Sequence, residues 1–572
     1  MNFKLEFAKL LQSQTLDVNI NLESIINNIE IPPNSELGDL CFPTFVFAKT
    51  FKKKPIDIAN DLLSKLNLLK SDFFEFSSLN AYVNAKIKTS ILFKDVVTKV
   101  LSKNNDYGKN KALLRKEYTL DTFNTNPLKA LHIGHLRNIV TGDVIYRLLS
   151  FANQVVHPIY YGGDVGTHIA KWYWYYLTLN DKEKIIPSKD VSKWFGNIYL
   201  KAGDKLRNDP TLEKEISAIQ KDLLTNKDLQ KEIIKLRDIC YESYMSIKRE
   251  LDITLEDHIF ESQSQDRFFK IKDEVFANNK DIIKTDNGAV IADLKKQNLD
   301  VLVLVKDNGA PLYASKDIGL VELKKELFPK SNDFLYVVGS EQKHYFKQLF
   351  TLFSFIYPDT SHKHISYGLV NLGSEKMSSR AGGLVLYEDF RDLIFKKVKS
   401  VLKENNLEDN LEIIKEISFG TIKFEMLKIG LNKTINFDIN HALNLQGDSA
   451  VYIQYTGVRS KSILNKCGCS ELDLNDLSLI DNFELDVEEL KLLKLINDFP
   501  NKVTISAVQL KPNLISNYCL ELAHCFNKFY SNSVIINSNE IIKKRRLLLT
   551  KVYLITLQNA LKLLGIKIPS AM

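Results

Sequence analysis

Four short β-prone runs, Tyr118–Phe123, Val155–Tyr161, Val301–Val305 and Phe334–Val338, are each followed by a stretch with helical character. That repeated order constrains the fold more than any other feature, because parallel strands need a long crossover between them and a helix is the usual one. Between the first strand and its helix lies a loop holding Asn126 and Pro127, and the helix begins at about Gly134. The second unit repeats the arrangement, with Gly162-Gly163-Asp164-Val165-Gly166 as its turn ahead of a helix rich in Trp and Tyr. Strand, loop and helix in this order predict an α/β core with a sheet of the kind that binds nucleotides. A long, charged helical segment interrupts it at approximately residues 180 to 255.

Residues 1 to about 105 begin with a helix-like segment and end in Ala81–Ile87, whose alternation suits a half-buried strand, so this part reads as a small α+β module. Pro32-Pro33-Asn34 and Gly38-Asp39 break its pattern, and Lys54-Pro55 marks the first turn of another helix. Beyond about residue 395 strand signals fade. Segments 409–432 and 541–564 carry Leu and Ile at helical spacing, which predicts a helical bundle for the last third.

A chain of 572 residues exceeds one ordinary core, so several domains are required. The 45% hydrophobic and 26% charged residues exclude a disordered chain. A net charge of +7, from 77 basic and 70 acidic residues, permits a polyanionic partner without demanding one. The clusters Lys52–Lys54 and Lys543–Arg546 fit either a solvated face or such a contact. Cys41, Cys240, Cys467, Cys469, Cys519 and Cys525 show no Cys-x2-Cys pairing, so they read as reduced thiols and no metal site is expected. No apolar run approaches the ~20 residues of a membrane span. The expected location is the cytoplasm, away from any membrane.

His132-Ile133-Gly134-His135 stands at the entrance of the first core helix. Two imidazoles three residues apart share one helix face, and the free amides of a helix N-terminus favour an anion. Gly134 has no side chain, so a flat base can approach the backbone there. Alone, the pair fits a helix cap or part of a metal site equally well. Far downstream, Lys376-Met377-Ser378-Ser379-Arg380 lies in a Gly- and Ser-rich stretch from Gly373 to Gly383 that reads as a mobile loop. Such a loop can bring cations onto a triphosphate as the transition state forms, although in isolation it is also an ordinary basic turn. Tyr313 and Asp317, four residues apart, face one way on a helix. There a carboxylate can accept two parallel hydrogen bonds from a guanidinium while the ring packs on its plane. The alternative for Asp317 is a surface carboxylate paired with Lys316 or Lys324.

In these residues the chain resembles the class I aminoacyl-tRNA synthetases, whose two signature sequences occur in this order. Asn126-Pro127-Leu128-Lys129-Ala130-Leu131, Gly163-Asp164-Val165-Gly166-Thr167 and Tyr313-Ala314-Ser315-Lys316-Asp317 narrow the resemblance to arginyl-tRNA synthetases, over essentially the whole chain. The resemblance implies a multidomain α/β protein with an N-terminal α+β tRNA-contacting domain at 1–108. A Rossmann-like parallel-sheet catalytic domain follows at 109–395, with its insertion near 180–255 and the signature loop at 373–383. A helical connection at 396–445 then leads to an all-helical anticodon-binding domain at 446–572.

The same resemblance assigns ATP to His132, Gly134, His135, Lys376, Met377, Ser378, Ser379 and Arg380, with His132, His135, Lys129 and Lys376 catalytic. Ser379 stands where many such signatures have a second lysine, and Lys129 is the implied substitute. Ala381 and Gly382 also depart from the lysine-containing sequence common there. Arginine is assigned to Asn124, Thr125, Asn126, His135, Tyr313, Asp317, Gln342 and Glu261. Asp121 joins them near the substrate ammonium group where the family commonly has Glu, or else serves as a structural strand-end residue. For tRNA the implied contacts are Tyr82 and Asn84, Tyr452, Tyr455 and Arg459, and Met572. For Tyr82 and Asn84 a plain sheet face, and for Tyr452 and Tyr455 bundle packing, are the alternatives. The implied enzyme is a monomeric ligase that uses L-arginine, ATP as its Mg²⁺ complex and tRNA(Arg), with no tightly bound cofactor. Another class I synthetase or a small-molecule adenylyltransferase, and a catalytically silent tRNA-binding relative, are the competing readings.

Overall fold

The structure is a computed structural model that describes residues 2–15, 20–34, 37–110, 113–129, 131–372, 385–404, 410–468 and 483–572. Lys376, Met377, Ser378, Ser379 and Arg380, expected to carry the second signature, lie outside the described residues, as does Cys469. The chain divides into two compact units. One comprises Met1–Tyr107, Ser462–Asn497 and Cys525–Thr556, and the other Gly108–Lys461, Asp498–His524 and Leu557–Met572.

In the first unit the alternating run near residue 81 becomes β3 (Tyr82–Ile87), paired antiparallel with β1 (Leu40–Pro43) on one side and β2 (Phe74–Leu79) on the other. Pro55 opens the helix Pro55–Leu68, where its fixed φ and missing N–H cost nothing. Phe7, from the helix Phe3–Ser13, stacks on Phe76 of β2 and packs at a tilt against Phe74. The helix Glu540–Leu563 brings Arg545 and Arg546 onto Glu489, at 2.9 and 2.8 Å. Two residues of the basic run 543–546 are thus spent on an internal carboxylate.

The second unit holds the parallel sheet. Its strands are β4 (Glu117–Thr122), β5 (Val155–Gly162), β6 (Asp257–Phe260), β10 (Asp333–Gly339) and β11 (Ser361–Tyr367), in the spatial order β11-β10-β4-β5-β6 and parallel throughout. Chain order reverses between β4 and β10, so a crevice opens there beyond the carboxyl ends of the strands, the usual place for a ligand in such a sheet. Helix α1 (Ile133–Phe151) follows β4 and is buried almost all round, which is why its sequence lacks a polar stripe. Helix α2 (Thr167–Leu177) follows β5. The expected insertion appears as α3 (Val191–Asn208), the helix Glu213–Thr225 and α4 (Lys227–Glu250), and α5 (Glu261–Asn278) follows β6.

Two strands differ from expectation. The run at Val301–Val305 does form a strand, β9 (Leu302–Val305), but it pairs antiparallel with β8 (Ala289–Ala292), which pairs with β7 (Ile283–Asp286). It therefore belongs to a separate three-stranded sheet. An apolar run reports burial, not which neighbour a strand pairs with. The other is β13 (Ile435–Phe437), beyond the point where strand signals fade; it pairs with β12 (Val370–Leu372), and three residues are too few to show alternation. Helix α6 (Tyr313–Leu327) leads into β10, α7 (Lys343–Ile356) follows that strand, and α8 is Tyr387–Glu404. Helices Leu411–Leu427, Ala450–Lys466, Val487–Gln509, Asn513–Asn532 and Glu540–Leu563 supply the expected helical last third.

Candidate active site

The loop from β4 to α1 is wound tightly: Phe123 and Leu128, both fully buried, hold φ of 56° and 61°, a left-handed conformation that such side chains adopt only under surrounding constraint. At its end His132 caps α1. Its Nδ1 accepts from the Gly134 amide at 3.1 Å, and its own amide donates to His135 Nδ1 at 3.3 Å. With both Nδ1 atoms accepting, the protons sit on the Nε2 atoms, so each ring offers one N–H donor. The rings lie 3.8 Å apart. Burial, with Lys129 adding, pushes His132 down to about 4. Burial, His132 and Lys129 push His135 well down too. Two neutral donors therefore stand at the positive end of a helix, a geometry suited to phosphate oxygens. Gly134 leaves room for the first imidazole, since a Cβ there would meet His132 Cε1 at 2.9 Å.

The crevice itself is bridged by amides. Asn124 Nδ2 and Asn138 Nδ2 both donate to the Val337 carbonyl of β10, at 3.1 and 2.5 Å, tying the β4 loop to the strand across the reversal. Asn126 Oδ1 accepts from the Gly163 amide at 3.0 Å, while Thr125 gives its carbonyl to Tyr160 Oη at 2.7 Å. Glu261, at the start of α5, is buried and pairs with Lys316 at 3.0 Å; burial raises its carboxyl and Lys316 opposes the rise. Asp317 on α6 is partly buried and accepts from Tyr345 Oη on α7. It pairs with neither Lys316 nor Lys324. Burial pushes its carboxyl up to about 7, with Tyr345 and Lys324 opposing and Glu261 and Asp121 reinforcing. Such a group lacks a cation of its own, and a guanidinium would supply one. Tyr313, one helical turn earlier, is 71% exposed and open to stacking. Gln342 is exposed in the turn Ser340–Gln342 after β10.

Asp121 is placed differently from the ammonium contact expected of it. It is 3% exposed within β4 and lies 2.6 Å from Lys324, which is wholly buried on α6. Burial presses on both charges, raising the Asp121 carboxyl and lowering the Lys324 amine, and each relieves the other. The strand-end structural role is the one the geometry supports. Lys129 acts electrostatically on His132, His135 and His168 and feels Glu261. Burial lowers its amine. The described chain just after the second signature is fixed to the first: Ile133 donates to the Val385 carbonyl at 3.1 Å and Tyr387 to the Leu131 carbonyl at 2.9 Å. Arg137, fully buried on α1, donates to the carbonyls of Gly368, Leu369, Leu431 and Lys433 at 2.7–3.1 Å and so fixes the chain on the other side.

Compared with known proteins, residues 96–440 match the catalytic domain of class I tRNA synthetases of the arginine type. The chain belongs to the arginyl-tRNA synthetase family. Residues 3–87 match the arginyl tRNA synthetase N-terminal domain, and residues 453–572 the DALR anticodon binding domain. An arginine–tRNA ligase of Clostridium botulinum (strain Langeland) is 31% identical over 583 residues, covering 100% of both chains. One from Clostridium acetobutylicum is 30% identical, covering 97% of this chain and 98% of its own. The arginyl-tRNA synthetase of Thermus thermophilus has the same fold, with a TM-score of 0.76 at 23% identity and 99% of both chains covered. As a member of the arginyl-tRNA synthetase family, the chain is a class I ligase.

The positions expected to face tRNA in this synthetase are unequal. Asn84 is 2% exposed in the central strand of its sheet, on the same strand face as Tyr82. Tyr82 is partly exposed and packs edge-on against Phe45, which is 52% exposed in the short 3-10 helix Thr44–Phe47. Tyr452 is buried at 7% against His524, so the packing alternative holds for it. Tyr455 and Arg459 share a partly exposed helix face, the guanidinium donating to the hydroxyl at 2.5 Å. Met572 is partly exposed at the chain end. Tyr345, Lys324, Lys316 and Asn138 were also missed, because their partners lie on other elements and no local spacing announces them.

Proposed function

We propose that this chain activates L-arginine with ATP and transfers it to the 3′ end of tRNA(Arg), acting as a cytoplasmic monomer. Family membership carries the reaction class. The arrangement that supports the substrate is an acid without a cation of its own, Asp317, linked through Glu261 and Lys129 to two neutral imidazole donors.

In the first step a carboxylate oxygen of arginine attacks the α-phosphorus of ATP, and the bond to pyrophosphate breaks. ATP enters as its Mg²⁺ complex, which neutralises part of the triphosphate charge. His132 and His135 donate through Nε2–H to the oxygens on which charge gathers, and remain neutral as they do so. Lys129 and Lys376 supply the cations for the leaving pyrophosphate. The guanidinium lies between Asp317 and Glu261 with Tyr313 on its face. Asn124, Thr125, Asn126 and Gln342 line the amino-acid end. In the second step a ribose hydroxyl of the terminal adenosine attacks the arginyl carbonyl, and AMP leaves. Tyr82, Tyr455, Arg459 and Met572 contact the tRNA. Among the described residues no helix is long and apolar enough to cross a membrane.

Aminoacylation of total tRNA with each labelled amino acid, with and without ATP, tests this reading. Arginine alone should be incorporated, and only with ATP; incorporation of another amino acid in its place would refute it.

A further inference from the structure

Two ammonium groups in this site share one aromatic ring. Lys171 Nζ, on α2, lies 3.9 Å from the centroid of Tyr199 on the insertion helix α3, and Lys129 Nζ lies 5.7 Å from the same centroid. Among the described residues neither forms an ion pair with a carboxylate. The acid that acts on Lys129 is Glu261, already engaged by Lys316 at 3.0 Å. Lys171 also acts on Lys129 and on His168, whose Nε2 is bound to the Gly163 carbonyl at 2.8 Å, so the pair looks onto the turn after β5 at the carboxyl edge of the sheet.

An aromatic face orients an amine but does not neutralise two of them side by side. Like charges held together without a counter-ion are relieved by an anion between them. Of the anions that the reaction brings to this edge, the arginine carboxylate and the phosphates of ATP, the triphosphate carries the larger charge and best matches two amines. It arrives with Ser379 standing where a second signature lysine would be, a deficit of one positive charge.

We propose that Lys171 is a second phosphate-binding residue, contacting the β- and γ-phosphates of ATP beside Lys129, and that Tyr199 is the positioning residue that aims both amines. The inference rests on the ATP reading given above. The insertion helix α3 thereby contributes to the chemistry through a ring rather than a charge. Lys171 complements the pair His132 and His135, which face the α-phosphate, by stabilising the pyrophosphate as it departs.

Pyrophosphate exchange in the presence of tRNA, with KM for ATP, arginine and tRNA and inhibition by inorganic pyrophosphate, tests the assignment. Lys171→Met and Lys171→Gln should each lose roughly 10–100-fold in kcat/KM for ATP and bind pyrophosphate more weakly, with KM for arginine unchanged. Lys171→Arg should recover most of the loss, and Tyr199→Leu should fall in the same direction by a smaller factor. Unchanged ATP parameters in both neutral variants would overturn the proposal. So would a change confined to KM for tRNA, which assigns the amine to a phosphodiester of the acceptor end. Lys129→Met separates the two layers: a loss there with none at Lys171 removes this inference alone, and no loss at either removes the ATP reading with it.

Discussion

Arginine binding should depend on pH in a window where an ordinary aspartate is silent. Asp317 carries a carboxyl pushed up to about 7, principally by burial. A guanidinium binds the ionised form, so below that value arginine must displace a proton. The apparent dissociation constant then grows by the factor of one plus the ratio of protonated to ionised carboxyl. That factor is roughly 11 at about pH 6 and roughly 1.1 at about pH 8, a tenfold weakening across the interval, whereas a pKa near 3.9 would give a flat line. The sign is fixed: affinity rises with pH through about 7 and then levels. His132, pushed down to about 4, and His135, lower than usual, stay neutral throughout and add no slope of their own. Titration calorimetry of arginine, or its KM in pyrophosphate exchange, reads the effect directly. Asp317→Asn should abolish the slope and weaken arginine by roughly a hundredfold, the loss of about 3 kcal/mol in charge-assisted hydrogen bonding. A flat wild-type profile from about pH 6 to 8, or the same slope surviving in Asp317→Asn, would refute the argument that this acid waits for a cation.

Three further outcomes follow from positions described above. Gly134→Ala puts a Cβ 2.9 Å from His132 Cε1, so the ring must turn and kcat should fall by roughly a hundredfold with the thermal midpoint nearly unchanged. Gly319→Ala is the reverse case: its Cβ would lie 1.9 Å from the Ser264 carbonyl oxygen, between α5 and α6, so a loss of about 1–3 kcal/mol or more should appear in denaturant unfolding. Asn84→Ala should lower stability and leave KM for tRNA unchanged, whereas Tyr82→Ala should raise KM for tRNA by roughly 5–100-fold in filter binding or aminoacylation, the worth of one stacked base.

What the sequence disclosed was whatever a few neighbouring residues decide. The imidazole pair is legible because one helix turn sets both rings, and Tyr313 with Asp317 because i and i+4 share a face. Strand β10 is legible because burial on both sides leaves a continuous apolar run, and β4 and β5 because β-branched and aromatic residues crowd them. Illegible were the pairings that only the folded chain makes. Asp121 looked free for substrate because Lys324, its partner, is on another element far along the chain. Nothing near Asp317 hints at Tyr345, and nothing near Leu302 says that its strand joins β8 and not the parallel sheet. Alternation in β3 marks a strand and puts Asn84 on the face of Tyr82 and the exposed Lys86, but it does not say that Asn84 itself is buried there.

The two backbone bonds from Leu131 and Ile133 to Tyr387 and Val385 close a segment of roughly 250 residues on itself. Loop-closure entropy grows only with the logarithm of length, so doubling such a segment would cost about 0.6 kcal/mol more. Insertions anywhere between these two points can therefore lengthen or shrink with little effect on the junction that joins them.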